Sequence, residues 1–223
     1  MTGKKLRITS PYTVIEKMTY LNNENMPMLV GMLVAAMIIV IAVILFVRYS
    51  YKTADSRKIK RIIKKYSDAY ECEVIFSDGI GGYFFIDYLI LLPGRILALN
   101  LPKVEGYVFG GESIELWTQV KNNKSTKFKN PLEDVQLFVK HAADQLKFDG
   151  IMARVLFNSK CEFPKGVPES VLQMANFKES MAAWAGESPV AEATNKAWDK
   201  LSALLAESRE RYTKETGRSQ ETP

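Results

Sequence analysis

Histidine, cysteine and, over one long stretch, charge are what this sequence is short of. His141 is the single histidine among 223 residues, which excludes multi-histidine metal centres. It reads as a helix-surface residue, since nothing nearby supplies a second ligand. The two cysteines, Cys72 and Cys161, lie far apart and match no metal-ligand spacing. There is no internal repeat and no low-complexity block. Charge is absent from Met26–Val47, MPMLVGMLVAAMIIVIAVILFV, which also holds no strongly polar residue. As a helix this run would reach about 33 Å, enough to cross a hydrocarbon core of about 30 Å. It is too long for a signal-peptide core and no small-residue cleavage site follows it. The reading is therefore one N-terminal transmembrane helix over 26–47.

What surrounds that run is basic. Arg48, Lys52, Arg57, Lys58, Lys60, Arg61, Lys64 and Lys65 follow it, against Asp55 alone, within an overall net charge of +5. Residues 1–25 carry Lys4, Lys5, Arg7 and Lys17 against Glu16 and Glu24. The denser basic flank predicts a single-pass protein of the inner, cytoplasmic membrane, with the N-terminus outside and the main domain inside. In a reducing cytoplasm Cys72 and Cys161 read as buried thiols. Gly31, Ala35 and Ala36 form a small-residue patch suited to packing against another membrane helix, hence a membrane-protein partner or a homo-oligomer. The expected organisation is an outer arm over 1–25, the spanning helix over 26–47, a basic juxtamembrane segment over 48–65, a domain over 66–185, a C-terminal helix over 186–212 and a disordered tail over 213–223.

After the anchor, Asp55-Ser56 is read as the cap of a helix over Arg57–Tyr70, with Ile59, Ile62, Ile63 and Tyr66 at helical spacing. Val74–Phe76 is a short strand, and Ser77-Asp78-Gly79 with Gly81-Gly82 marks a loop. Tyr83–Leu92 and Arg95–Leu101 are apolar, β-prone runs about Pro93-Gly94, a hairpin. Ile114–Val120 is a further strand and Lys121–Lys129 a basic, Asn-rich loop. Asn130, Pro131 and Glu133 have the order of an N-cap, a first helical residue and a capping-box acid. Leu132, Val135, Phe138, Val139, Ala142 and Leu146 make that helix's buried stripe. Ile151–Phe157 returns as a strand, Glu169–Phe177 is read as a helix, and Ala191–Tyr212 as a last amphipathic one. The order predicts an α/β or α+β domain with a mixed central sheet flanked by helices.

Asp87 stands inside FFIDYLILL, where a carboxylate is costly unless paired, hydrated or metal-bound. A symmetric turn at Pro93-Gly94 puts it opposite Asn100. Pro102 then falls on the same face, and Lys103 points the other way unless a bulge intervenes.

These residues resemble the nuclease-related domain (NERD) family, of restriction-endonuclease-like fold. The resemblance covers about Tyr66–Lys160. It rests on the hairpin IDYLILLPGRILALNLPKVEG, a strand containing Trp117, and the block KNPLEDVQLFVKHAADQL, whose Asn130, Pro131 and Gln136 match an Asn-Pro-x-x-x-x-Gln pattern. In the family the hairpin reads as an Asp, a Pro/Ser-Gly turn and a strand ending in Glu-x-Lys. Asp87 takes the place of the Asp, Asn100 that of the Glu and Pro102 that of the Lys. The family's first-helix Glu has no counterpart in RKIKRIIKKY. The resemblance implies a site built on Asp87, Asn100, Lys103 and Gln136 that is degenerate, with Asp87 a weak metal ligand at best.

Three functions follow as expectations. The first is a membrane-anchored, catalytically degenerate module that tethers nucleic acid or binds protein at the cytoplasmic face. Its non-specific DNA contacts would be Lys58, Lys60, Arg61 and Lys64 on the first helix with Lys121, Lys124 and Lys127 in the loop, or lipid headgroups would take the basic helix instead. It needs no cofactor. The second is a metal-dependent DNA endonuclease using Asp87, a bulged Lys103 and Glu105, with Mg²⁺. The third is a structural component of a membrane assembly.

Overall fold

The computed structural model describes residues 26–186 and 190–217; within its first helix, side chains are described for Val30, Met32, 34–42 and from Ala54 onward. The expected outer arm over 1–25 and the last part of the expected tail, 218–223, lie outside the described residues. Contacts divide the chain into two units, Met1–Ala54 and Asp55–Pro223.

The backbone is helical from Met26, and helix α1 runs over Met26–Tyr66. The separate helix start expected at Asp55-Ser56 is absent, because the turns before it are already helical. Asp55 is engaged elsewhere, its Oδ2 accepting the Ser159 N–H at 3.0 Å and the Ser159 hydroxyl at 2.8 Å. The described side chains of the apolar run, among them Val30, Met32, Met37, Ile38, Ile39, Val40 and Ile41, are all exposed. Among the described residues no helix is long and apolar enough to cross a membrane. Those side chains are fewer than the roughly twenty that a span needs.

The second unit is a mixed α/β fold with two sheets. The larger sheet has the order β1-β2-β3-β7-β9, from β1 (Ala69–Ser77), β2 (Tyr83–Leu92), β3 (Arg95–Asn100), β7 (Ile151–Phe157) and β9 (Val171–Gln173). β1, β2 and β3 pair antiparallel, and β3, β7 and β9 pair parallel. One face of this sheet, through Leu89, Leu91, Ile96, Ala98, Val155 and Phe157, packs on α2 (Pro131–Leu146) and α4 (Glu192–Thr216). The other face, through Tyr88, Ile90, Leu92, Leu97 and Leu99, packs on Ile59, Ile62 and Ile63 of α1 and on Phe177 and Met181 of α3 (Phe177–Ala185). With both faces covered, central strands read as continuous apolar runs, which is why YLILL and ILAL carry no alternation. Each such large side chain, fully buried, contributes roughly 1.5–3 kcal/mol of transfer free energy.

The smaller sheet, order β6-β5-β4-β8, was not foreseen as separate. It consists of β4 (Gly106–Phe109), β5 (Leu116–Lys121), β6 (Lys124–Lys129) and β8 (Cys161–Glu162). Trp117 fixes it to the core: fully buried, it stacks on Phe157 with ring centroids 6.0 Å apart. The expected loop over Lys121–Lys129 is instead a hairpin. Asn122 and Asn123 both take positive φ, 50° and 60°, the pair of left-handed residues that a two-residue turn requires and that Asn tolerates.

Three further expectations are corrected. Helix α1 stops at Tyr66 rather than Tyr70, since Asp68 N–H already bonds Leu91 O at 3.2 Å and the chain has joined the sheet. Glu169–Phe177 is not a helix: Val171 and Leu172 pair with Val155 and Leu156 as β9, and the helix starts only at Phe177. The last helix continues through Thr216, so 213–216 are ordered, and Gly217 closes it with φ 64°.

The α2 start follows the expected plan. Asn130 is buried and its side chain accepts the Leu132 N–H at 2.9 Å, with Pro131 next. Glu133, however, pairs with Lys129 rather than closing a capping box.

Candidate functional site around Asp87 and Asn100

The Pro93-Gly94 turn sets the register. Gly94 has φ 72°, as the third position of a Pro-Gly turn requires. Leu92 faces Arg95 and Tyr88 faces Leu99, so the same count brings Asp87 level with Asn100. There the regular ladder ends and side chains continue it. Asn100 Oδ1 accepts the Asp87 N–H at 3.0 Å, and Asn100 Nδ2 reaches Phe85 O at 3.5 Å. Asp87 Oδ2 accepts the Leu101 N–H at 2.6 Å. The two side chains thus serve each other's strand as substitutes for backbone partners.

Asp87 is exposed as a residue at the strand end. Desolvation pushes its pKa up, against the lowering effect of the Leu101 N–H and of the Lys103 charge. Glu73 adds a smaller upward push from across the sheet. Glu73 sits between the Cys72–Tyr88 and Val74–Ile86 pairs, with φ 53°. Its left-handed backbone re-aims both strands: Val74 and Ile86 belong to one core, while Cys72 and Tyr88 pack in the other. Nothing in the run AYECEVIFS signals this, and Glu73 was missed as a neighbour of Asp87.

Lys103 lies in the segment after β3, exposed. The strand stops at Asn100, so strict alternation no longer governs residue 103, and its charge acts favourably on Asp87 without an ion pair between them. Glu105 does not join this group. It binds Lys160 Nζ at 3.0 Å and also Lys121, and these two lysines hold its carboxyl below the ordinary range. Gln136 is exposed on α2, off the buried stripe, and among the described residues no hydrogen bond joins it to Asp87 or Asn100. His141 is a half-buried structural residue, its ring 6.0 Å from that of Phe76 and 5.9 Å from that of Phe84. Among the described residues no group of three or more His, Cys, Asp or Glu side chains is placed to hold a metal ion.

The basic residues fall into two places. Lys58, Lys60, Arg61 and Lys64 are exposed on α1, opposite the buried Ile59, Ile62 and Ile63. Lys121 and Lys124 face each other across the β5–β6 ladder, whereas Lys127 lies opposite Thr118, on the other face. The three do not form one patch, and Lys121 is already paired with Glu105.

No curated protein and no solved structure matches the chain. The model of the nuclease-related domain family matches residues 53–163, from α1 through β8, so the Asp87–Asn100 hairpin and the Asn130-Pro131 helix start both lie inside it. This segment, residues 53–163, belongs to the nuclease-related domain family, NERD.

Proposed function

We propose that this chain is a membrane-anchored nuclease-related module that works by binding rather than by hydrolysis. The observation that carries the reading is the exchange between Asp87 and Asn100. A divalent cation needs two or more hard anionic oxygens with lone pairs to spare. Asp87 has one oxygen engaged by the Leu101 N–H, and Asn100 offers a neutral oxygen that already accepts the Asp87 N–H. Pro102 brings no ammonium to activate water. These donors suit a strand end better than a metal.

The anchor is the uncharged run Met26–Val47, whose described side chains stand exposed as a lipid-facing surface requires. The basic flank that follows supports a location of the domain at the cytoplasmic face of the inner membrane, with lipid headgroups or non-specific DNA on Lys58, Lys60, Arg61 and Lys64. Gly31, Ala35 and Ala36 suit helix-to-helix packing with a membrane partner or a second copy.

The test is metal binding by the full chain in detergent. Wild type is expected to bind Mn²⁺ no better than Asp87→Asn, and Asn100→Glu with Pro102→Lys is expected to gain affinity. A wild-type site that Asp87→Asn removes would overturn the reading. The Lys103 charge acting on Asp87 favours one second reading, a metal-dependent endonuclease with Lys103 as water activator and Mg²⁺ as cofactor.

A further inference from the structure

We propose that the open edge of β6 is a docking site for an extended acidic segment of another protein, which adds to the smaller sheet as a fifth strand. β6 ends that sheet, and Lys124, Ser125, Thr126 and Lys127 are all exposed. The two-residue Asn122-Asn123 turn makes Lys121 and Lys124 the closing pair of the hairpin. In an antiparallel ladder such closing pairs exchange both backbone bonds, and bonded and unbonded pairs then alternate. Lys124, Thr126 and Phe128 therefore turn their N–H and C=O towards β5, and Ser125 and Lys127 turn theirs outward. Among the described residues nothing hydrogen-bonds to those outward groups.

The backbone chemistry selects a peptide. Outward N–H and C=O groups alternate along the edge, so a strand satisfies both, whereas a phosphate backbone satisfies the donors and is repelled by the carbonyls. Charge selects an acidic one. Lys129 is paired with Glu133 and Asp134, and Lys121 with Glu105, but Lys124 and Lys127 have no ion pair among the described residues. Lying three apart on a strand, they project to opposite faces, so the segment that fits carries acids three residues apart, one for each lysine. A second copy of the same edge would set lysine against lysine, which disfavours self-pairing. The site belongs to the other sheet from the Asp87 hairpin and stands whether or not Asp87 binds metal.

The probe is a labelled seven-residue peptide of valine and threonine with glutamate at its second and fifth positions, titrated into the full chain in detergent. Binding is expected, weakened about tenfold or more by Lys124→Glu with Lys127→Glu, and lost when alternate peptide amides are N-methylated. Unchanged melting of the lysine variant shows that its fold is intact; Lys127→Ala, a milder change, is expected to weaken binding less. The proposal is overturned if the peptide does not bind at millimolar concentration. It is equally overturned if the N-methylated peptide binds as well as the parent, leaving charge alone, or if the lysine variant binds as well as wild type. Preference of the same lysines for duplex DNA over the peptide would also overturn it.

Discussion

Asn100 Oδ1 accepts the backbone N–H of Asp87 at 3.0 Å, while Asp87 Oδ2 accepts the N–H of Leu101, the residue after Asn100, at 2.6 Å. Each side chain holds the other's strand where backbone pairing stops. Both residues thus have a structural task at the end of the β2–β3 ladder.

Asp87→Ala is expected to lower stability by about 0.5–1.5 kcal/mol, because the Leu101 N–H exchanges its carboxylate acceptor for water. Asp87→Asn keeps an oxygen there and is expected to stay within about 1 kcal/mol of wild type. A carboxyl raised on folding binds protons more readily in the native state, so it makes stability fall as pH rises from the ordinary carboxylate range to its raised value. Asp87→Asn should remove that component. Thermal melts of the three proteins across acidic pH check both statements.

Glu105 has the opposite sign. Lys121 and Lys160 hold its carboxyl below the ordinary range, so its contribution to stability is present above that range and disappears as pH falls through its lowered value. Replacing both lysines by alanine should return the Glu105 titration, followed by carboxyl NMR, to the ordinary range.

How far the sequence revealed these features varies by element. The Pro93-Gly94 hairpin, its Asp87–Asn100 register and the Asn130-Pro131 helix start were legible, because Pro, Gly and a capping Asn act through local sterics and hydrogen bonds. The Glu73 kink was not, since an ordinary acid in a β-prone run gives no warning of a left-handed backbone. Asn122-Asn123 is a turn signal that the surrounding lysines disguised as loop composition. Val171–Gln173 is a strand through pairing with β7, a long-range contact that three residues do not announce. At the site, the Asp87–Asn100 neighbourhood could be counted from the turn, but the pull of Lys103 depends on where β3 ends, and that is set by packing.

The basic face of α1 should carry any DNA affinity of the full chain. Reversing Lys58, Lys60, Arg61 and Lys64 is expected to flatten the dependence of binding on salt, each lost phosphate contact reducing the slope by roughly 0.9. Filter binding or anisotropy over a salt series measures this. Reversal of Lys124 and Lys127 should change it less, since they lie on opposite faces of the β5–β6 ladder.

The proposed topology rests on the flanking charge. Reporter fusions should place the C-terminus in the cytoplasm and the N-terminus outside. A C-terminus on the outer side would contradict the proposed location.

Incubation of the full chain with DNA or RNA in Mg²⁺ or Mn²⁺ tests the binding-only reading most directly. The expected result is no cleavage above that of an Asp87→Asn preparation. Cleavage by wild type that Asp87→Asn abolishes while melting stays unchanged would contradict it, and would make Asp87 and Lys103 the working pair of a nuclease.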